Sequence, residues 1–228
     1  MGSCPWQEDE DEAMRIILIR HGATEWSVAS RHTGLTDLPL TALGEEQASS
    51  AARVLRALVP HVDEPVRNFS SPLRRSLQTA VIVCGSGAVI VEDSRLREFH
   101  YGDYEGLTTA EIRDSRPGWD IWRDGCPNGE TAEEVGERVD SFLSSLEGAH
   151  GTSVVFSHGH LIRVLAARAV GLSAVQGSIF SLETAAISII EDPRGEREIK
   201  LWNHDPSLHD SSRRTFDAPG IDSSSPTY

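Results

Sequence analysis

Two histidines in this chain stand at the ends of apolar, β-branched runs. Ile16-Ile17-Leu18-Ile19 stops at once on Arg20-His21-Gly22, and Thr152-Ser153-Val154-Val155-Phe156-Ser157 stops on His158-Gly159-His160. Runs of this kind read as strands buried on both faces. A buried strand that ends on polar groups carries them to the rim of a sheet, where open α/β folds bind ligands. If the two strands lie parallel and adjacent, His21 and His158 converge over one crevice. An imidazole there can be a nucleophile, a metal ligand or a structural hydrogen bonder. His21 alone would be read as structural; the second strand-end histidine turns the reading toward catalysis. Gly22, lacking a Cβ, lets backbone approach a ligand closely. A metal reading of His158 and His160 finds no carboxylate or cysteine at usable spacing, so no metal and no other cofactor is expected. The Gly-x-Ser-x-Gly elbow of serine hydrolases is absent.

The elements that must position these groups follow in order. Thr41 caps a helix whose box is imperfect, because Glu45 falls one step beyond the N3 position. Ala48, Ala51, Ala52, Leu55 and Leu58 continue it at helical spacing. Val66 to Phe69 reads as a strand, Ser70-Ser71-Pro72 as a helix start with Pro72 in the first turn, and Val89-Ile90-Val91 as a short strand. Thr108 opens a short helix to about Ser115, and Thr131 an amphipathic helix through Val135, Val139, Phe142, Leu143 and Leu146. Leu161 to Val170 forms a helix closed by Gly171. Thr184 to Ile190 and Glu198 to Trp202 form a final strand pair joined by Asp192-Pro193-Arg194-Gly195. Strands alternating with helices predict a three-layer α/β/α fold with a mostly parallel sheet. The stretch 99–130, with its prolines, glycines and tryptophans, is expected to be an inserted cap region, with Trp119 and Trp122 packing rather than stacking on ligand.

Composition bounds the rest. The 228 residues carry 39% hydrophobic and 25% charged side chains and a net charge of −14. Such a chain is expected to avoid nucleic acid and anionic membranes, so an anion site must be a local cluster of cations. No apolar run approaches the ~20 residues of a membrane helix, and no secretory signal is read at the start. Cys4, Cys84 and Cys126 are few and scattered, which fits a reducing compartment; a cytoplasmic location is expected. Residues 1–13 include the acidic run Glu8-Asp9-Glu10-Asp11-Glu12 and read as a disordered leader. Residues 14–203 read as the folded domain, and 204–228, rich in Ser, Asp and Pro, as a flexible tail. The oligomeric state, homo-oligomer included, is left open.

The stretch Leu18-Ile19-Arg20-His21-Gly22-Ala23-Thr24-Glu25-Trp26 resembles the signature of the histidine phosphatase superfamily, the phosphoglycerate-mutase-like enzymes. Ser71-Pro72-Leu73-Arg74-Arg75-Ser76-Leu77-Gln78-Thr79-Ala80 resembles the family's second arginine motif, which implies Arg75 in the phosphate pocket. Leu96-Arg97-Glu98-Phe99-His100-Tyr101-Gly102-Asp103-Tyr104-Glu105-Gly106 resembles its acid motif, implying Glu98 as proton donor. Asn128-Gly129-Glu130-Thr131 resembles its cap segment and Ser157-His158-Gly159-His160 its second histidine, adding Gly159 to the substrate-binding set. Five motifs in family order cover roughly Met14 to Trp202. The stretches Thr33 to Thr41, Tyr101 to Leu107 and Ile121 to Thr131 further resemble the sedoheptulose-1,7-bisphosphatase branch. His32 stands where that branch has tyrosine, and its long insertion after the second histidine is missing.

The resemblance implies a metal-independent phosphatase with catalytic residues His21, Glu98, His158, Arg20 and Arg75. A neutral His21 attacks phosphorus and splits a very slow hydrolysis into two easier steps. Arg20 and Arg75 hold His21 unprotonated by like-charge repulsion and bind the equatorial oxygens, and a protonated His158 adds a donor. Beside a phosphate dianion Glu98 is expected to carry the proton given to the leaving alkoxide. Thr24, Ser27, Thr33 and Gly34 are candidates for phosphate or sugar hydroxyls, and Tyr101 and Arg123 for the sugar or its second phosphate; ordinary loop packing is an equal reading for each. The expected partner is a small phosphorylated sugar, first sedoheptulose 1,7-bisphosphate. A broad-specificity acid phosphatase, a phosphoglycerate mutase and an inactive phosphosugar-binding protein are the rivals. The short cap between Glu98 and Glu130 is read as leaving water access, against the mutase.

Overall fold

The computed structural model describes residues 14–59, 66–148, 150–193 and 195–209. The acidic leader and residues 210–228 of the expected tail lie outside them, whereas the first residues of that tail close a strand at His204 and form a 3-10 turn, Pro206–His209. The first strand, β1 (Met14–Arg20), is followed by a single helical turn, α1 (Glu25–Val28), and a long helix, α2 (Ala42–Leu58). Then come β2 (Val66–Ser70), α3 (Arg74–Cys84) and the short β3 (Ile90–Glu92). After the short helices α4 (Thr109–Ser115) and α5 (Ile121–Asp124) come α6 (Ala132–Ser144), β4 (Thr152–Ser157) and α7 (Gly159–Ala169). β5 (Ile187–Asp192) and β6 (Glu198–His204) complete the sheet.

The strand order is β3-β2-β4-β1-β5-β6. The first four run parallel, and β5 and β6 add an antiparallel edge. The hydrophobicity of β1 explains the layering. Side chains of a strand alternate between faces. Ile16 and Leu18 enter a core with Val139, Phe142, Leu161 and Leu165 from α6 and α7, whereas Ile17 and Ile19 enter another with Ala48, Ala52, Ala80 and Val83 from α2 and α3. All four β1 side chains are buried, each contributing about 1.5–3 kcal/mol relative to exposure. The expected α/β/α sandwich thus hides both faces of this strand.

β1 and β4 are neighbours, with Arg20 opposite Ser157. The ladder runs on past the strand end through His21 N–H to the Ser157 carbonyl at 2.9 Å. Both histidines therefore leave the same rim. The stretch 99–130 contains a 3-10 turn and α4 and α5, and its Phe99, Tyr101, Ile112, Trp119, Ile121 and Trp122 belong to the core that faces α6 and α7. It is continuous with the body, and both tryptophans pack as expected.

Some local expectations are corrected. Pro72 does not open a helix: Ser70 stays in β2, Ser71 N–H still reaches the Phe156 carbonyl, and α3 begins only at Arg74. Its N-cap, Leu73, offers no side-chain oxygen, and Asp37 Oδ1 accepts the Arg74 N–H at 2.7 Å from a distant loop instead. β5 starts at Ile187 rather than Thr184, because Ala185 adopts a positive φ of 57° before it. α7 starts at Gly159, with His158 as its N-cap. Thr41 caps α2 through the Gly44 N–H without a box, as the spacing indicated.

Candidate active site

The two imidazoles meet, with ring centroids 5.2 Å apart. His21 Nδ1 lies 2.7 Å from the Gly22 carbonyl. A carbonyl only accepts, so Nδ1 carries the proton and Nε2 keeps its lone pair. Burial, then Arg75 and Arg20, push the His21 pKa well below the ordinary value, against the opposing pull of the Gly22 carbonyl. His21 is thus a neutral imidazole with a free Nε2. The expected repulsion by the arginines is present but comes second to desolvation.

His158 is neutral too. Arg75 Nε–H donates to its Nδ1 at 3.1 Å, so the proton resides on Nε2, which donates to Ser71 Oγ at 2.8 Å. Burial and the charge of Arg75 hold its pKa well below the ordinary range. The expected protonated His158 is therefore not the state in this arrangement, because the guanidinium already occupies the second ring nitrogen.

Arg75 is wholly buried. Its fork donates to the carbonyls of Thr36 (3.0 Å), Thr33 (2.9 Å) and Gly34 (3.0 Å). With the Nε bond to His158, four of its five N–H donors are committed. The same loop is held from the other side by Glu105, which accepts the Gly34 and Thr36 N–H groups. Arg20 is arranged differently. Nη1 donates to the Leu182 carbonyl at 2.6 Å, whereas the buried Nε has no protein partner. Gly159 makes room for this side chain: a Cβ there would stand 3.3 Å from Arg20 Cζ and Nε. Burial lowers the pKa of both arginines, with Glu98 opposing, yet guanidinium stays charged at any ordinary pH.

Glu98 is buried at the N-terminus of α7. Oε1 accepts the N–H groups of Leu161 (2.9 Å) and Phe99 (3.1 Å), and Oε2 accepts that of His160 (3.0 Å). Oε2, with one donor, retains a lone pair that can carry a proton. Gly22 has a role other than the expected approach to ligand. A Cβ there would fall 2.3 Å from the Gly44 carbonyl oxygen on α2, so the glycine pair brings α2 against the site.

A cavity of about 330 Å³ lies over these groups, lined by Arg20, His21, Glu98 and Gly159 together with Ser27, Ser30, Arg31, His32, Thr33, Tyr101, His160, Arg163, Leu182 and Glu183. Of the expected binding residues, Ser27, Thr33, Tyr101 and Gly159 are brought to it. Arg75 and His158 sit behind His21. Thr24 is buried and forms a capping box with Ser27 around α1, and Gly34 is engaged by Glu105 and Arg75. Arg123 lies outside the lining: its exposed guanidinium pairs with Asp124 and donates to the Gly118 carbonyl.

His32, His160 and Arg163 line the cavity without having carried an expected role. Tyr101 Oη and His160 Nδ1 are 2.7 Å apart, and His32 packs on Tyr101 at 4.8 Å between centroids. Burial lowers the pKa of both imidazoles, that of His32 to about 4. Arg163 lies over the Trp122 ring at 4.5 Å and donates through Nε and Nη2 to the Gly177 and Ser178 carbonyls. Among the described residues no carboxylate pairs with it, and its Nη1 is unused. One signal was present: Arg163 follows His160 by three residues, which shares a helix face once α7 starts at Gly159.

Residues 16–205 match the model of the histidine phosphatase superfamily, branch 1. The chain belongs to the histidine phosphatase superfamily. It is 42% identical to an acid phosphatase of Mycobacterium tuberculosis over 82% of this chain and 91% of that protein. It is 39% identical to a sedoheptulose 1,7-bisphosphatase of Saccharomyces cerevisiae over 69% of this chain and 68% of that protein. A solved mycobacterial glucosyl-3-phosphoglycerate phosphatase in complex with VO3 superimposes with a TM-score of 0.73 at 30% identity, covering 83% of this chain and 98% of the other. These relatives are phosphatases, in agreement with the expected class of phosphoric monoester hydrolase. Among the described residues no helix is long and apolar enough to cross a membrane.

Proposed function

We propose that this histidine phosphatase hydrolyses a sugar bisphosphate, sedoheptulose 1,7-bisphosphate first, through a phosphohistidine on His21. The observation that carries the chemistry is the 2.7 Å contact between His21 Nδ1 and the Gly22 carbonyl, which assigns the proton to Nδ1 and leaves the Nε2 lone pair free beside Arg20 and Glu98. Nε2 attacks phosphorus and the ester P–O bond breaks. The leaving alkoxide takes its proton from Glu98 Oε2. The resulting carboxylate then takes a proton from water, whose oxygen attacks the phosphohistidine. The P–N bond breaks, its electron pair returns to Nε2, and inorganic phosphate leaves. The unpartnered Arg20 Nε donates to the phosphoryl oxygens. Arg75 supplies its charge and one remaining N–H, and holds His158 in place.

The substrate reading rests on Arg163. A half-buried guanidinium without a carboxylate partner, on the wall of the cavity that holds the nucleophile, suits a second anionic group on the substrate. It takes the role that the sequence suggested for Arg123. Neutral His32, His160 and Tyr101 between the two ends suit a polyol. Hydrolysis of this ester would serve pentose phosphate metabolism in the cytoplasm. The 42% identical acid phosphatase favours a second reading, broad specificity.

The test is a panel of phosphate esters with and without chelator, coupled to acid quenching for phosphohistidine. A kcat/KM for sugar bisphosphates at least about tenfold above monophosphates and p-nitrophenyl phosphate (~1.4 kcal/mol), lost in Arg163→Met through KM, supports the proposal. Equal rates across the panel favour broad specificity. Isomerisation of 3-phosphoglycerate outrunning phosphate release would make the chain a mutase, and a chelator-sensitive rate would refute the metal-free route. His21→Ala abolishing turnover excludes a mere binding protein.

A further inference from the structure

The general acid sits on a strip of chain that no sheet holds. Residues 97–101 form no ladder and no helix, so their carbonyls need other partners. One side chain supplies two of them. Arg138, on α6, donates through Nη1 to the carbonyls of Arg95 and Arg97, each at 2.7 Å, and through Nη2 to that of Glu98 at 3.2 Å. Its Nε and Nη2 also bond Glu130 at 2.9 and 3.1 Å. All five guanidinium N–H groups are thereby used. Glu130 completes the clamp: Oε2 accepts the His100 N–H at 2.8 Å, and its own N–H donates to the His100 carbonyl at 2.8 Å. The turn before it is pressed on the same strip, since a Cβ on Gly129 would fall 2.1 Å from the His100 carbonyl oxygen. Residue 98 is gripped on its carbonyl side by Arg138 and two residues on by Glu130, while its carboxylate meets the start of α7.

We propose that the Arg138–Glu130 pair is a positioning device for the general acid: it fixes the backbone at Glu98 so that Oε2 reaches the leaving oxygen. The inference rests on Glu98 as the proton donor. Neither residue lines the cavity that holds His21, so the pair acts through Glu98 rather than on substrate. Lysine cannot substitute at 138, because a point ammonium offers three donors and no fork.

Leaving-group dependence is the readout that a purely structural role would not move. An alkyl phosphate such as 2-glycerophosphate needs a proton on departure, whereas p-nitrophenyl phosphate does not. Glu98→Gln is the reference: its loss must fall chiefly on 2-glycerophosphate, or the assignment of Glu98 itself fails. Given that, Arg138→Lys and Glu130→Gln, which leaves the three carbonyl bonds to Arg138 in place, lower kcat on 2-glycerophosphate by about 10²-fold and about tenfold respectively. Both keep p-nitrophenyl phosphate within about threefold and leave KM unchanged. Equal losses on both esters, or none, in whichever of the two variants folds would overturn the positioning role while leaving Glu98 as the acid.

Discussion

The ring of His32 offers a direct measure of how dry the site is. It packs against Tyr101, Trp119 (5.6 Å between centroids) and His160 (6.0 Å), with Thr109 Oγ1 3.3 Å from Nε2. Burial lowers its pKa to about 4, with Glu105 opposing. In the unfolded chain the same imidazole takes up a proton near 6.5. Between those values the unfolded state binds more protons, so stability falls as pH falls through the window. Full linkage over pH 7 to pH 5 amounts to about 2 kcal/mol from this one ring, an upper value because water in the cavity reaches one side of it. His21, His158 and His160 are lowered by burial as well, and their losses add in the same direction. Substitution His32→Gln removes one titration and leaves the others. Urea unfolding of both proteins at pH 7, 6 and 5 then separates it: the variant loses about 2 kcal/mol less than wild type between pH 7 and 5. Parallel pH dependence of the two proteins would refute the neutral, buried state assigned to His32.

Two other expectations concern the machinery and its support. Arg75→Lys keeps the charge but cannot serve three carbonyls and His158 at once, so kcat/KM falls by about 10²-fold or more with native circular dichroism; activity near wild type would show that the fork geometry is dispensable. In Gly44→Ala the new Cβ would fall 2.2 Å from the Ala23 carbonyl oxygen, which forces α2 away from the nucleophile loop. The cost is about 1–3 kcal/mol, read as a lower urea midpoint, and an unchanged midpoint would mean that the helix moves freely.

Much of this protein is legible without coordinates. Ile16 to Ile19 can be hidden only inside a sheet covered on both faces, and that dictates the layered fold. Because β1 and β4 are both buried runs that end on histidine, their parallel pairing at once sets His21 beside His158. These are local properties of residue type and order. What the tertiary structure alone decided involves partners that sequence does not mark. Arg75 is marked by the motif around it, but Arg138 and Arg163 are defined by the main-chain carbonyls they reach; every residue carries a carbonyl, and a three-residue spacing from His160 does not by itself rank Arg163 above Arg123, whose side chain turns to Asp124 at the surface. The proton on His158 depends on an arginine 83 positions away. The start of α3 depends on Asp37, brought across from another loop. Strands and helices follow from neighbours along the chain; hydrogen-bond donors are committed only once the chain has folded.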